Sequence, residues 1–572
     1  MKSPQRPLAI HRKQSLRTTI PRLGGAALAL LTLSAPWLLF FDPIPWFRNG
    51  HIPLDPLESY RLLSDDFAYV SGSRTLERTL ENLFVPHNTH IVPAWRLLTW
   101  ALVSASGKLS RIPETLAVAS YAILVAVMVL MGRLVARESG RTCAGFAAAA
   151  LVGTSSLMLA PATWYSASQP LWAGYAILAA LWYAQNLRRG GTWRSVGLCA
   201  VAAAIAGWFW TVGYLAGPVA SLYLWLDGRR RCRRLAAIPS LASVAAVVIA
   251  SALGAAKIDS TVSFHGRTAT QAADPLQGLL HTAQAIPENL IFANLGLRAR
   301  TTQAQGLILS SLFVAAWIRH RRLRGGRLAF TPLECAGAFL VFSSYLIEWT
   351  VRGYLDFDYL RTLSQIHIVP WYDAIPWIGG VLFGFGWWCG PGPADRGDQA
   401  PRRAVPLSLL GGLAVTGLVT TLIVLQRPRV ELLWRNSVPP LVEAELSRFP
   451  IVELKSMRAH LLLLERAAWQ RRHLRRLDLA QDLIDRLGID LATVKQAFGR
   501  LDMPELPEVY DAAGLLRPPT RVRSHHAEEI QRGLSPLIFL EREPMPPWIP
   551  PGVPWPPRQS ADDLRTEFYG SK

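Results

Sequence analysis

Charged residues are scarce in this 572-residue chain, where they make up 17% of the sequence against about a quarter of a typical soluble protein. Cysteine is scarce as well, with 5 residues in all. The first shortage leaves too little polar surface for a set of soluble domains, and the second excludes a disulfide-stapled scaffold. Apolar residues are abundant instead, at 51% of the chain with 21 Trp. Because many apolar runs approach 20 residues, the sequence predicts an integral membrane protein.

The apolar runs predict an all-α polytopic fold with about eleven transmembrane helices. Residues 195–226 are too long for one span, so we divide them where Gly213, Gly217 and Pro218 would break a helix. The first run follows a basic segment and is read as an uncleaved anchor, because Pro36 follows the small residues Ser34 and Ala35. The predicted spans lie at about 24–41, 113–132, 143–161, 170–186, 195–211, 212–226, 236–256, 305–318, 330–349, 374–389 and 404–425.

Basic residues, which give the chain a net charge of +20, are concentrated in alternate loops between these runs. The positive-inside rule then predicts a cytoplasmic N-terminus and an extracytoplasmic C-terminal region, with membrane lipids as partners. All five cysteines lie in or near the predicted inner loops, which agrees with a reducing inner side. Arg greatly outnumbers Lys, which is typical of a GC-rich genome and favours a bacterial plasma (inner) membrane.

The sequence predicts four regions. A basic N-terminus (1–23) precedes a transmembrane domain (24–425) with outer loops at 42–111, 257–303 and 351–373. A helical extramembrane domain follows at 426–515, and residues 516–572 form a Pro-rich, partly disordered tail. The middles of the spans are almost free of ionisable residues, so the polar chemistry is expected at the outer face.

An acidic pair, Asp65 and Asp66, follows the first predicted span. Two adjacent carboxylates repel each other, which raises one pKa and suits that group to act as a general base on a hydroxyl. The alternative is structural, because an Asp at this place can also cap the N-terminus of the following helix. The residues leave both interpretations open.

The acidic pair, together with the amphipathic segment Pro86–Leu98 and the basic inner loops, resembles the signature of GT-C-fold glycosyltransferases. These membrane enzymes use polyprenyl-phosphate sugars, as do the aminoarabinose, protein-mannosyl and rhizobial lipopolysaccharide transferases. The resemblance implies a GT-C-like bundle over residues 24–425, in which a sugar passes from a polyprenyl-phosphate donor to an unknown acceptor hydroxyl at the outer face. It also implies Asp65 as the catalytic base and Asp66 as its supporting partner.

Such a donor leaves a phosphate anion, which needs positive charge and hydrogen-bond donors. Each candidate has a structural alternative: arginines at a membrane boundary also reach toward lipid headgroups, and histidines in a turn bond to backbone. A divalent metal held by the two histidines and an acid of the pair is a further, less favoured alternative, and no cofactor is assigned. The candidates for binding the phosphate are His87, His90, Arg96, Arg352 and Arg361.

A second acidic cluster is predicted in the outer loop 351–373, where Asp356 and Asp358 precede Asp373. The neighbouring Trp371, Tyr372 and Trp377 would stack on sugars or anchor the chain at the membrane interface, and the interface role is favoured. The loop 257–303 carries no recognisable chemical motif.

Three other functions compete with a transferase. A transporter or flippase would need polar residues at mid-membrane, and a polymerase or ligase of surface polysaccharide would use lipid-linked donors without an acidic pair in this role. The third is a membrane-anchored sensor that acts through the tail, which the predicted outside position of the tail disfavours. Leu483–Lys495 resembles a helix-turn-helix, but Ile484 occupies a position that needs a small residue and the tail is predicted outside, so no nucleic acid is expected.

Overall fold

In the computed structural model, almost all of the described residues are helical. The structure describes residues 25–40, 64–87, 90–227, 229–257, 275–292, 294, 301–325, 330–352, 370–389 and 409–436, with single positions between 474 and 517. This confirms the predicted all-α fold within that part of the chain.

The α-helices of the described residues are numbered α1 to α17 in chain order. They are α1 Gly25–Phe40, α2 Ser64–Gly72, α3 Leu76–Glu81, α4 Pro93–Ser106, α5 Ile112–Ser139, α6 Thr142–Gly153, α7 Leu159–Thr163, α8 Gln169–Arg188, α9 Trp193–Phe209, α10 Ala216–Trp225, α11 Arg230–Leu235, α12 Ala237–Ala255, α13 Pro275–Ala285, α14 Gln303–Gly325, α15 Pro332–Arg352, α16 Ala374–Cys389 and α17 Leu409–Asn436.

Each predicted apolar run coincides with one of these helices, or with a pair of them. Three stretches are long and apolar enough to cross a membrane: Leu109–Ser139, Arg230–Ala255 and Leu410–Pro428. A fourth crossing is provided if α6 and residues Ser156–Thr163, which meet at a 58° bend, count as one broken span. The larger number of eleven spans stays a prediction.

The chain divides into two compact units. The first comprises Met1–Pro56, Leu83–Trp95 and Ala117–Leu461, and the second comprises Leu57–Asn82, Arg96–Leu116 and Leu462–Lys572. This division differs from the predicted regions, because the outer loop 42–111 is shared between both units. The predicted boundary after residue 425 also falls inside α17, because the loss of apolar residues there does not end the helix.

The first unit is organised around α8, which is buried at most of its positions. A helix that is apolar on all sides belongs in the interior. α15 and α16 pack closely beside each other through Gly337 and Gly379, where an added Cβ would collide with the facing backbone. In contrast, α12 exposes Leu241, Val244 and Val248 to its surroundings, which is the pattern of a helix in contact with lipid.

Two helices of the first unit are interrupted. Between α9 and α10 the backbone becomes extended at Trp210 and then forms a 3-10 turn over Thr211–Leu215, which confirms the predicted break in this run. Between α6 and α8, residues 154–169 form short 3-10 and α-helical turns, and most of them are buried. The second interruption contains the gap between the predicted spans 143–161 and 170–186, and the structure fills it with buried helical turns.

In the second unit the described residues of the tail bind to the first outer segment. The carboxylate of Asp478 accepts hydrogen bonds from the backbone N–H groups of Leu109 and Ser110. Nε of Arg74 donates to the carbonyl of Leu515 at 2.6 Å. Burial, together with the positive charge of Arg517, lowers the pKa of Arg74 to about 10. The hydrogen bonds to Asp478 satisfy the N–H groups of Leu109 and Ser110, which lie just before α5 and would otherwise lack partners.

Candidate functional site

The acidic pair lies in the first turn of α2, which begins at Ser64. Neither acid therefore occupies the N-cap position, so the capping interpretation is wrong. Asp66 is fully buried, with no side-chain exposure to solvent. The side chain of Asp65 lies outside the described residues.

Arg96, on α4, lies beside α2 within the second unit. Its guanidinium is 5.5 Å from the centre of the Tyr69 ring, and its backbone carbonyl accepts a hydrogen bond from the Ser73 hydroxyl. Because Tyr69 follows Asp66 by three residues, the ring and the carboxylate share one face of α2. The structure thus brings Asp66, Tyr69 and Arg96 together.

Arg96 is only 6% exposed. Burial lowers its pKa, because removing a cation from water disfavours the charged form. An arginine that only reaches toward lipid headgroups keeps its charged end in the polar layer. The observed burial therefore argues against that alternative for Arg96.

His87 and His90 form a tight hairpin, in which each backbone N–H donates to the other residue's carbonyl at 2.9 Å. Nδ1 of His90 shares a hydrogen bond with the Thr211 hydroxyl at 2.7 Å, and its ring packs 4.2 Å from that of Trp210. Both histidines belong to the first unit, whereas Asp66 and Arg96 belong to the second. The pairing involves backbone groups and leaves the side chains aside, so the phosphate role of the two histidines stays a prediction.

The remaining predicted residues are described only in part. Arg352 is the last residue of α15, and its side chain lies outside the described residues. Arg361, Asp356 and Asp358 lie outside them altogether. Their roles stay predictions.

Asp373, also singled out in the sequence, is buried at the start of α16. Its Oδ1 accepts hydrogen bonds from the Tyr345 hydroxyl at 2.7 Å and from the Asn289 amide at 3.1 Å. Neither partner was predicted. Asn289 lies in a π-helix, Ile286–Phe292, a conformation that often marks functional positions. Pro287 inside an apolar helical run is the one sequence signal that pointed to it.

The aromatic residues near Asp373 pack inside the first unit. The Tyr372 ring lies 5.6 Å from that of Trp210, and Nε1 of Trp377 donates to the Leu151 carbonyl at 3.0 Å. Both side chains also pack against the main apolar core. Both side chains are only partly buried, and their role as membrane-interface anchors stays a prediction.

A polar network joins the C-terminal ends of α5, α8 and α10. Arg188 donates to Glu138 at 2.7 Å, to Asp227 at 2.5 Å and to the Tyr223 hydroxyl at 2.8 Å. Tyr223 in turn donates to Glu138 at 2.8 Å. A second buried ion pair joins Arg321 to Glu334. The charges of these groups are paired with opposite charges, which is typical of a structural network.

Among the residues that the structure describes, no group of three His, Cys, Asp or Glu side chains could hold a metal ion. Comparison of the chain with protein-family models, with curated proteins and with solved structures found no match. The arrangement that remains for chemistry is the buried carboxylate and guanidinium of the second unit. It combines a proton acceptor with a cation suited to a phosphate oxygen.

Proposed function

We propose that this chain is a membrane glycosyltransferase that moves a sugar from a polyprenyl-phosphate donor to an acceptor hydroxyl at the outer face of a bacterial plasma membrane. Asp65 removes the proton of the acceptor hydroxyl while that oxygen attacks the anomeric carbon. Asp66 supports Asp65, and Arg96 stabilises the departing polyprenyl phosphate. The sugar carbon thus changes its bond from the phosphate oxygen to the acceptor oxygen.

The observation that carries this proposal is the burial of Asp66 and Arg96 around Tyr69 on neighbouring helices. Charged hydrogen bonds to a phosphate are strong in a site that excludes water, and Arg96 is 6% exposed. Arg is well suited to this role, because its planar fork binds two oxygens at once.

The position of the described ion pairs favours an enzyme over a transporter. Glu138 and Arg188 lie at the C-terminal ends of α5 and α8. Arg321 lies near the C-terminal end of α14, and its partner Glu334 lies near the start of α15. A transporter binds its substrate and coupling ions near the middle of the membrane, often between broken helices. Ion pairs at helix ends are instead typical of groups that fix the bundle.

The contact between Asp478 and residues 109–110 supports a chain with more than three crossings. If α5 crosses a membrane, its N-terminal end and the tail lie on the same side, so the number of crossings between them is even. The three candidate spans alone would give three crossings between residue 111 and the tail, which is an odd number. If the bent pair is a fourth span, the number of crossings is four. If all ten predicted spans after residue 111 cross the membrane, it is ten, which is also even.

The decisive experiment is turnover of a panel of synthetic polyprenyl-phosphate sugars by the purified chain. We expect release of polyprenyl phosphate by the unaltered protein and a loss of about 10²- to 10⁴-fold in Asp65→Asn, which is the usual range for removal of a general base. Donor binding should survive in the variant. The matched control is Glu81→Gln, since Glu81 is an exposed acid of the same unit.

Two results would count against the proposal. If the unaltered protein neither binds nor cleaves any donor of the panel, the glycosyltransferase assignment fails. If Asp65→Asn turns over as fast as Glu81→Gln, the base is another residue and the resemblance at the acidic pair is misleading.

A further inference from the structure

A second group of polar and aromatic side chains lies within the first unit, where several helix ends meet. Trp210 follows α9, Tyr345 lies on α15, and Tyr372 and Asp373 immediately precede α16. The contacts among these residues, given above, bring the end of α9, the end of α15 and the start of α16 together. The proposed transfer chemistry uses none of them.

The first feature of this group is a row of three rings. The His90 ring lies 4.2 Å from that of Trp210, and the Trp210 ring lies 5.6 Å from that of Tyr372. The Thr211 hydroxyl fixes His90 through its hydrogen bond. Such rings present flat apolar faces with polar edges, so they can pack against the C–H face of a ring while leaving its hydroxyls accessible.

The second feature is a pair of polar atoms on α8 that have no hydrogen-bond partner among the described residues. They are the acceptor Oε1 of Gln169 and the donor Nε1 of Trp172. Gln169 is only 2% exposed. The two residues are three apart and share one face of α8. The Trp172 ring packs 5.8 Å from that of Phe209, the residue that precedes Trp210.

Buried polar atoms without partners are rare in native proteins, and each calls for an explanation such as a bound ligand. Here one is an acceptor and the other a donor, so a ligand that serves both must itself donate and accept. Hydroxyl groups do both. The carboxylate of Asp373 adds a fixed acceptor, held by groups from two other elements. None of the residues of this group is a Lys or Arg, which favours a neutral ligand.

We propose that Trp210, Tyr372, Gln169, Trp172 and Asp373 form a saccharide-binding subsite in the first unit. The partly exposed ring of Tyr372, supported by the buried ring of Trp210, packs on a sugar ring. Gln169 and Trp172 accept from and donate to the hydroxyls of that sugar. If this subsite holds the acceptor, the acceptor is a glycan, and that assignment rests on the proposed function. The binding of a neutral sugar is argued from the contacts within the first unit alone and does not depend on the proposed function.

The test measures binding of methyl glycosides of a hexose, a 6-deoxyhexose and a pentose to the full chain in detergent, by saturation-transfer NMR and calorimetry. Trp172→Phe removes the indole N–H but keeps a ring against Phe209, and Gln169→Met removes the amide at similar volume. We expect at least one glycoside to bind, with affinity about fivefold or more weaker in each variant. The control is Trp193→Phe at the other end of α9, where Trp193 is 70% exposed.

Several outcomes would overturn the subsite: no glycoside binding to the unaltered protein, equal binding by Trp172→Phe and Trp193→Phe, or displacement of the glycoside by inorganic phosphate, which would reveal an anion site instead. Near-native melting temperatures of both variants keep the comparison valid. The donor-cleavage assay with Asp65→Asn is read separately. Glycoside binding without donor cleavage would defeat the proposed function and leave the sugar site standing, whereas donor cleavage without glycoside binding would defeat the subsite alone.

Discussion

The carboxylate of Asp478 accepts three hydrogen bonds at the start of the candidate span Leu109–Ser139: from the N–H of Leu109 at 2.6 Å, and from the N–H and hydroxyl of Ser110 at 3.1 and 2.5 Å. An anion at this place satisfies free amides and complements the positive end of the helix. The relationship has a topological consequence, because it joins the tail to one end of a helix that can cross a membrane.

We therefore expect residue 108 and the tail to be accessible from the same side of the membrane. The measurement is labelling of intact cells or spheroplasts with a membrane-impermeant maleimide, using Lys108→Cys and Arg475→Cys in a variant whose five cysteines are replaced by Ala. Both side chains are exposed, so both should react. Arg231→Cys, in a predicted inner loop, is the control and should react only after the membrane is opened. Labelling of residue 108 without residue 475 would contradict the even number of crossings.

A change at Arg96 separates a phosphate-binding role from a structural one. Arg96→Gln and Arg96→Lys should each weaken donor binding by about 10- to 100-fold, because neither side chain offers the planar fork of a guanidinium. Since burial lowers the pKa of Arg96, its charge is disfavoured in the folded chain, and Arg96→Gln should leave the melting temperature unchanged or raise it.

Exposed Arg111 provides the control for this change. Arg111→Gln should alter neither the affinity for the donor nor the melting temperature. A large fall in melting temperature of Arg96→Gln, with unchanged donor kinetics in the protein that remains folded, would assign Arg96 to the structure of the second unit instead.

Close packing of α15 on α16 depends on glycine. A Cβ at Gly337 would collide with the backbone N of Phe383 and lie 2.6 Å from the carbonyl oxygen of Gly379. Helices in membranes approach closely where such small residues meet. Gly337→Ala should therefore reduce the free energy of unfolding by about 1–3 kcal/mol, seen as a lower melting temperature in detergent.

Gly384, on the same α16, has nothing within 4 Å of the position of an added Cβ. Gly384→Ala should be neutral or stabilise the helix by up to about 1 kcal/mol, because Ala is the better helix former. Equal effects of the two substitutions would mean that the helices separate at Gly337 without cost.

The sequence predicted the helices well because long apolar runs and helix breakers are local signals. Of the three predicted breakers between α9 and α10, Gly213 lies in the break itself, where an added Cβ would meet the Ala206 carbonyl. Gly217 and Pro218 lie in the first turn of α10. The buried interruption at 154–169 also carried its signals, Gly153 and Pro161. The burial of this segment depends instead on the helices that pack over it, which these local signals do not reveal.

The residue contacts that build the candidate sites could not be predicted from the sequence. Asp373 and Asn289 are 84 residues apart, and Asp478 and Leu109 are 369 residues apart. No periodicity or spacing links such distant positions, since the contact depends on how the helices pack. The burial of Arg96 is equally a property of the packed unit, because the same arginine on an exposed segment would reach toward headgroups.

The network around Arg188 is expected to stabilise the bundle without taking part in transfer. Glu138 lies in the last turn of α5, within the first unit. Glu138→Gln should reduce the free energy of unfolding by about 1–3 kcal/mol, because it removes one of two anions from a mostly buried guanidinium. Tyr223→Phe should cost about 1 kcal/mol.

Because Tyr223 donates to Glu138, the double variant should lose less than the sum of the single losses, by about 0.5–2 kcal/mol. Exposed Arg233 is the control, and Arg233→Gln should change stability by less than about 0.5 kcal/mol. Unchanged kcat and KM for the donor in the folded fraction of every variant would support a structural role for the network. A selective loss of kcat at unchanged melting temperature would instead bring this end of the helices into the reaction.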